Sequence, residues 1–247
     1  MQIIEGRNPV IEALRAGRPI TRILMDRNSQ LHGAAEKIIQ SAKTRGVAVE
    51  MVDRQVIERQ SVTGSSQGVI AFASAKDYVY LEDLFLLSHE KQEPPLYLVL
   101  DGIEDPHNLG AMLRTAEASG VHGVIIREKR AVGLTPAVVK ASAGAVEYVP
   151  VAMVANISQA IITLKKNNVW VTGIDMAGVQ DYSKVDFSLP AAIVIGGEGK
   201  GLSDLARKRC DSIASIPMKG KVSSLNASVA AAVVMYEALR QRTLRKV

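Results

Sequence analysis

Residues 191–240 read AAIVIGGEGKGLSDLARKRCDSIASIPMKGKVSSLNASVAAAVVMYEALR, and two patterns alternate along them. Ala191–Ile195 is apolar at every position, as a strand covered on both faces should be. Leu202–Arg209 has helical spacing, and Ser212–Ile216 reads as a second strand. Ala227 to about Arg242 is a helix of small apolar residues. This order implies a parallel sheet with helices on its faces. Asn226 can cap the last helix by accepting a bond from a first-turn amide. Between the strand end and that cap lie Lys219, Gly220, Lys221, Ser223 and Ser224. Open parallel sheets bind ligands beyond the carboxyl ends of their strands, so this polar junction is a candidate site.

The alternation extends back to residue 96. Strands are expected at Leu96–Leu100, Gly123–Ile126, Tyr148–Val151 and Trp170–Ile174, with helices ending at Ala118 and spanning Pro136–Ala143 and Ile157–Lys166. Residues 1–75 form a smaller α/β unit. Helices start at Asn8-Pro9 and cover Ala34–Arg45 and Arg54–Gln60; strands cover Thr21–Met25, Ala48–Val52 and Val69–Ser74. From 76 to 95 the pattern weakens to a short helix, Leu81–Ser88, and a polar run closed by Pro94-Pro95. The expected organisation is a first domain at 1–75, a linker at 76–95 and a second domain at 96–247.

The chain has 247 residues, enough for one large or two small domains with a real core. No apolar run approaches the roughly 18–20 residues that span a bilayer. The start, MQIIEGRNPV, lacks the basic and apolar regions of a secretory signal. Cys210 is the only cysteine, which excludes an intrachain disulfide and a cysteine-based metal cluster and suits a reducing cytoplasm. The net charge is +5, unevenly spread. Six bases (Lys200, Arg207, Lys208, Arg209, Lys219, Lys221) face two acids between 200 and 221, and the tail adds Arg240, Arg242, Arg245 and Lys246. Residues 1–75 carry ten Lys and Arg against seven Asp and Glu, mostly arginine. A basic face fits a polyanion such as nucleic acid; a solvated surface gives the same counts.

Three strand ends carry unusual residues. In DGIEDPHNLGAMLRTAEASG (101–120), Asn108 can cap and Arg114 sits mid-helix, where a surface pair with Glu117 is the plain alternative. In IGGEGKGLS (195–203), four glycines allow a ligand close to the backbone. The run is not a P-loop, because Val194 stands where its first glycine would be. The third is the 216–226 junction, where Ser223, Ser224 and Asn226 could be ordinary loop and cap residues.

Taken together, DPHNLGAMLRTAEASG, IGGEGKGLS and IPMKGKVSSLNASVAAAVVMYEALR strongly resemble the three motifs of the SpoU family of RNA ribose 2'-O-methyltransferases. KASAGAVEYVP (140–150) looks like the family's middle segment, and residues 1–75 are similar to the L30e-like RNA-binding domain found before many members. Ser66 departs from the pattern, since many relatives have His before Gln-Gly there. The resemblance implies a trefoil-knotted (SPOUT) α/β methyltransferase domain behind an L30e-like domain, a homodimer, and S-adenosylmethionine as methyl donor with no metal. It places cofactor contacts at Gly196, Gly197, Ile216, Met218 and Leu225, and a catalytic set at Asn108, Arg114, Glu198, Ser224 and Asn226. The implied substrate is RNA, because only RNA carries the 2'-hydroxyl. A guanosine of 23S rRNA is favoured over tRNA on the strength of the first domain, and a non-catalytic RNA-binding relative is the remaining alternative.

Overall fold

The computed structural model describes residues 1–29 and 32–245; Lys246 of the basic tail lies outside them. The chain forms two compact units, Met1–Asp77 with Leu134–Tyr148, and Tyr78–Gly133 with Val149–Val247.

The first unit opens with β1 (Gln2–Glu5), α1 (Arg7–Arg15), β2 (Ile20–Asp26), α2 (Ala34–Thr44), β3 (Ala48–Val52), α3 (Arg54–Gln60) and β4 (Val69–Ala73). Its sheet has the order β1-β4-β2-β3, antiparallel except for the β2-β3 pair. β1 is absent from the sequence reading. Four residues are too few to show a period, and the strand exists because it pairs with β4, about seventy positions away (Gln2 opposite Ala73). Gly6 links β1 to α1 at φ 98°, a conformation that favours glycine. α1 buries Val10, Ile11, Ala13 and Leu14, the i, i+3, i+4 stripe of a helix packed on a sheet.

The second unit begins with α4 (Leu81–Glu90), β5 (Leu96–Asp101), α5 (Pro106–Ala118) and β6 (Gly123–Arg127). The stretch expected to be a linker therefore contributes to a core. Leu84 is fully buried, and the Ser88 hydroxyl lies 2.6 Å from the buried Tyr97 hydroxyl. Only one strongly buried leucine marks α4, which is why its pattern reads weakly.

Next the chain returns to the first unit with α6 (Pro136–Ala141) and a 3-10 turn at Ala145–Glu147. Thr135 caps α6 through its hydroxyl. Lys140 Nζ donates to Thr63 Oγ1 at 2.8 Å, and Tyr148 donates to Glu12 at 2.6 Å. Glu147 forms a buried ion pair with Arg18 at 2.7 Å, their side chains 1% and 4% exposed. Arg18 also donates to the Ser74 carbonyl at 2.7 Å and to Gln2. The sequence places 134–148 in the second domain; tertiary contacts group it with the first unit.

The remainder completes the second unit: β7 (Val151–Val154), α7 (Ile157–Lys166), β8 (Trp170–Ile174), β9 (Gln180–Asp181), β10 (Ala191–Gly196), α8 (Asp204–Arg209), β11 (Ser212–Ser215) and α9 (Ala227–Arg245). β7 starts three residues later than expected because the 3-10 turn occupies the preceding segment. The sheet order is β7-β6-β5-β10-β8-β11-β9, and every neighbouring pair is parallel. Val99, Val171, Val194, Ile161 and Leu164 share one core with Ala206 of α8. α9 packs against α5 and β10, burying Ala231, Val234, Met235 and Ala238. β5 and β10 are buried at every position, matching their unbroken apolar sequence.

His122, just before β6, is buried, and its Nδ1 accepts the Leu96 amide at 3.1 Å. Burial, with Lys91 and Arg242 nearby and only partly offset by Glu93, pushes its pKa down to about 4. An unfolded histidine titrates near 6.5, so between those values the unfolded chain binds more protons and stability rises with pH. The contribution is complete above about 6.5 and lost as pH falls through about 4. Thermal melts of wild type should lose roughly 3 kcal/mol over this window through His122. His122→Asn, which keeps an acceptor for Leu96, should flatten that part of the curve.

Candidate active site at the carboxyl ends of the parallel strands

β8, β10 and β11 end beside one another, and the loops after them enclose a cavity of about 380 Å³. β10 runs directly into Gly197 to Gly201, which closes as a tight turn: the Gly197 amide donates to the Asp101 carbonyl at 3.1 Å and the Gly201 amide to the Gly197 carbonyl at 3.0 Å. A Cβ at Gly196 would lie 2.1 Å from the Gly201 backbone, and one at Gly197 would lie 2.4 Å from the Gly102 carbonyl oxygen. Both positions therefore exclude any side chain. Asp101, at the end of β5, holds the far side of the turn by accepting the Ser203 amide at 2.9 Å.

Gly196 and Gly197 line the cavity together with Ile216, Met218 and Leu225, so all five expected cofactor contacts share one wall system. Glu198, Ser224 and Asn226 line it as well. Asn108 is buried on the first turn of α5, and its side-chain amide donates to the Glu198 carboxylate. Asp105 caps this helix by accepting the His107 amide at 2.9 Å, which frees Asn108 from the capping role suggested by sequence. Asn226 does cap α9: its Oδ1 accepts the Ser228 amide at 2.8 Å and the Val229 amide at 3.4 Å. One side chain thus starts a helix and borders the cavity.

Arg114 is the exception. It lies six residues beyond Asn108 on α5, roughly 240° around the helix, and is exposed outside the cavity lining. It forms no ion pair or hydrogen bond among the described residues, so the surface pair with Glu117 is not made.

The sequence reading missed Asp175 and Met176, which line the cavity from the end of β8. Asp175 accepts from Arg207 at 2.6 Å and from the Ala177 amide at 3.0 Å, and its side chain is 9% exposed. An acid directly after an apolar strand was the available signal; its importance depends on β8 lying next to β10, which only the strand order reveals. Two carboxylates, Asp175 (paired with Arg207) and Glu198, line the cavity amid apolar Ile174, Ile195, Ile216 and Leu225, and among the described residues no lysine or arginine lines it. Such a wall suits a ligand with an apolar body and positive charge. Among the described residues no group of His, Cys, Asp or Glu could hold a metal ion.

Residues 95–236 match the model of the SpoU rRNA Methylase family, and residues 3–79 match that of the RNA 2'-O ribose methyltransferase substrate binding domain. The Bacillus subtilis protein YacO, named for the TrmH family of tRNA/rRNA methyltransferases, is 45% identical over 96% of this chain and 94% of its own length. The AdoMet-bound rRNA methyltransferase of Sinorhizobium meliloti superposes with a TM-score of 0.76 at 27% identity, covering 97% of this chain and 87% of that one. The TrmH/SpoU tRNA modifying enzyme of A. aeolicus gives a TM-score of 0.57 at 28% identity, covering 67% of this chain and 86% of that one. With its glycine turn, its Asn108–Glu198 contact and a family match over most of its length, this chain belongs to the SpoU rRNA Methylase family and is an RNA methyltransferase.

Proposed function

We propose that the protein methylates the 2'-hydroxyl of a ribose in RNA, using S-adenosylmethionine, and that its target is a guanosine of 23S rRNA. The observation that carries the reading is the cavity itself, where a side-chain-free glycine turn, two carboxylates and an apolar wall meet Ser224 and Asn226. S-adenosylmethionine brings an electrophilic methyl group on a positively charged sulfur. Gly196, Gly197, Ile216, Met218 and Leu225 would hold it, and the acidic lining complements its charge.

A ribose hydroxyl is a weak nucleophile until its charge is developed against a donor. Arg114 supplies that donor by gripping the adjacent phosphate and stabilising the developing oxyanion. A guanidinium does not deprotonate in proteins, so Arg114 does not act as the base. Ser224 and Asn226 orient the ribose, while Asn108 fixes the Glu198 carboxylate at the turn. Arg114 stands outside the cavity lining of its own chain and is unpaired, which favours a homodimer whose second copy brings this arginine to the site.

The first unit, in front of a knotted methyltransferase domain, is assigned to RNA recognition. The likeness to the S. meliloti rRNA enzyme runs along nearly the whole chain, whereas the A. aeolicus tRNA enzyme covers two thirds of it, which supports rRNA over tRNA. A cytoplasmic setting fits an RNA substrate and Cys210, whose thiol is pushed up to about 12 by burial and is inert at neutral pH. No helix of the described residues is long and apolar enough to cross a membrane.

The test is incubation with methyl-labelled S-adenosylmethionine and separate 23S rRNA and tRNA transcripts. Label should appear in an alkali-resistant dinucleotide from 23S rRNA. Label on a base, or on tRNA alone, overturns the substrate assignment.

A further inference from the structure

The cations that follow β6 have no part in the mechanism above. β6 ends in Arg127, and the chain continues as Glu128, Lys129 and Arg130 before turning back. Arg127 is half-buried, and its Nε is buried without a hydrogen-bond partner among the described residues. Lys129 and Arg130 are exposed and make no ion pair among the described residues. Arg130 sits at φ 56°, a left-handed conformation that costs a side-chain-bearing residue energy and holds it outward on a tight turn.

The place of this turn ties it to the cavity. Val132 donates its amide to the Ile103 carbonyl at 2.9 Å, which docks the turn on the loop after β5. A Cβ at Gly102 would lie 3.8 Å from the Arg130 carbonyl, and the Gly102 carbonyl borders Gly197 on its other side. β6, β5 and β10 are consecutive parallel strands, so the ends of β6 and β10 stand about 10 Å apart. Among the described residues no acid forms an ion pair with the turn. Asp101 is held by the Ser203 amide and Asp105 by the cap of α5, while Glu104 and Glu128 are exposed and unpaired.

We propose that Arg127, Lys129 and Arg130 form a phosphate-gripping surface that holds the RNA backbone beside the target nucleotide. The inference rests on the reading of the cavity as an RNA methylation site. Arginine suits a phosphate because its planar fork donates two parallel bonds, and the exposed Arg130 and Lys129 are free to make such contacts beside the half-buried Arg127. These are positioning residues; they act on RNA affinity and register, not on the cofactor.

The test measures binding of a 23S rRNA transcript to the full-length protein across a range of salt concentrations. For Arg127→Gln/Lys129→Gln/Arg130→Gly, the slope of log K against log salt should shrink by about 2, because each phosphate contact contributes roughly 0.7–0.9. S-adenosylmethionine binding by calorimetry should stay at the wild-type value, which also reports folding. Should the triple variant misfold, Arg130→Gly alone, which suits the left-handed backbone, should still lower the slope by roughly one contact. An unchanged slope in a variant that binds cofactor normally overturns the inference. Methylation of tRNA with an Arg130-dependent slope overturns the 23S reading and leaves the inference standing.

Discussion

Replacing Arg114 with lysine lowers the methyl-transfer rate by a factor of about 10²–10³, the effect of removing one well-aimed donor from a developing oxyanion. Lysine keeps the positive charge but loses the planar fork, so it cannot grip a phosphate and a 2'-oxygen in one fixed geometry. Binding of S-adenosylmethionine stays unchanged, because Arg114 does not line the cavity of its own chain. Single-turnover kinetics with saturating RNA separates these effects. Near-normal turnover in Arg114→Lys would show that a point charge suffices and would sink the bidentate role. Mixing Arg114→Ala with a Glu198→Gln variant then tests sharing between copies: recovered activity in the mixture places Arg114 at the second copy's cavity.

Glu147→Gln destabilises the first unit by about 3–5 kcal/mol, the cost of leaving a buried charge without its counter-ion. Arg18 is 4% exposed and its other partners, the Ser74 carbonyl and Gln2, carry no charge to replace Glu147. Lys76, 3.8 Å from the same carboxylate, loses that counter-ion but keeps its bond to the Glu147 carbonyl at 3.0 Å. The loss is a large part of the 5–15 kcal/mol that a domain typically holds in reserve. Urea unfolding should show the midpoint falling, while cofactor binding at the second unit persists at low denaturant. Arg18→Met/Glu147→Leu should lose much less, since an apolar pair of similar volume carries no desolvation penalty. Equal losses in the single and double variants would refute the charge argument.

Much of the fold is local in origin, and the chain's own pattern declares it. Ala48–Val52, Arg54–Gln60, Ile157–Lys166 and Trp170–Ile174 occupy the expected residues because periodicity, caps and glycines act within a few positions. The unbroken apolar runs at 96–100 and 191–195 announce a doubly covered parallel sheet. The glycine turn was visible too, and the five residues expected to contact a cofactor all line the one cavity.

What escaped the sequence depends on partners far along the chain. β1 is too short to show a pattern and exists through its pairing with β4. Residues 134–148 interrupt the second unit in sequence, yet the buried Arg18–Glu147 pair, spanning 129 positions, ties them to the first. Asp175 enters the site because β8 lies beside β10, and Asn108 meets Glu198 across 90 positions. Propensity and periodicity therefore determined the elements and the strand ends where chemistry could gather. Only the tertiary structure decided which ends meet, because strand order and burial sum contacts over the whole chain, and no short window of sequence contains them.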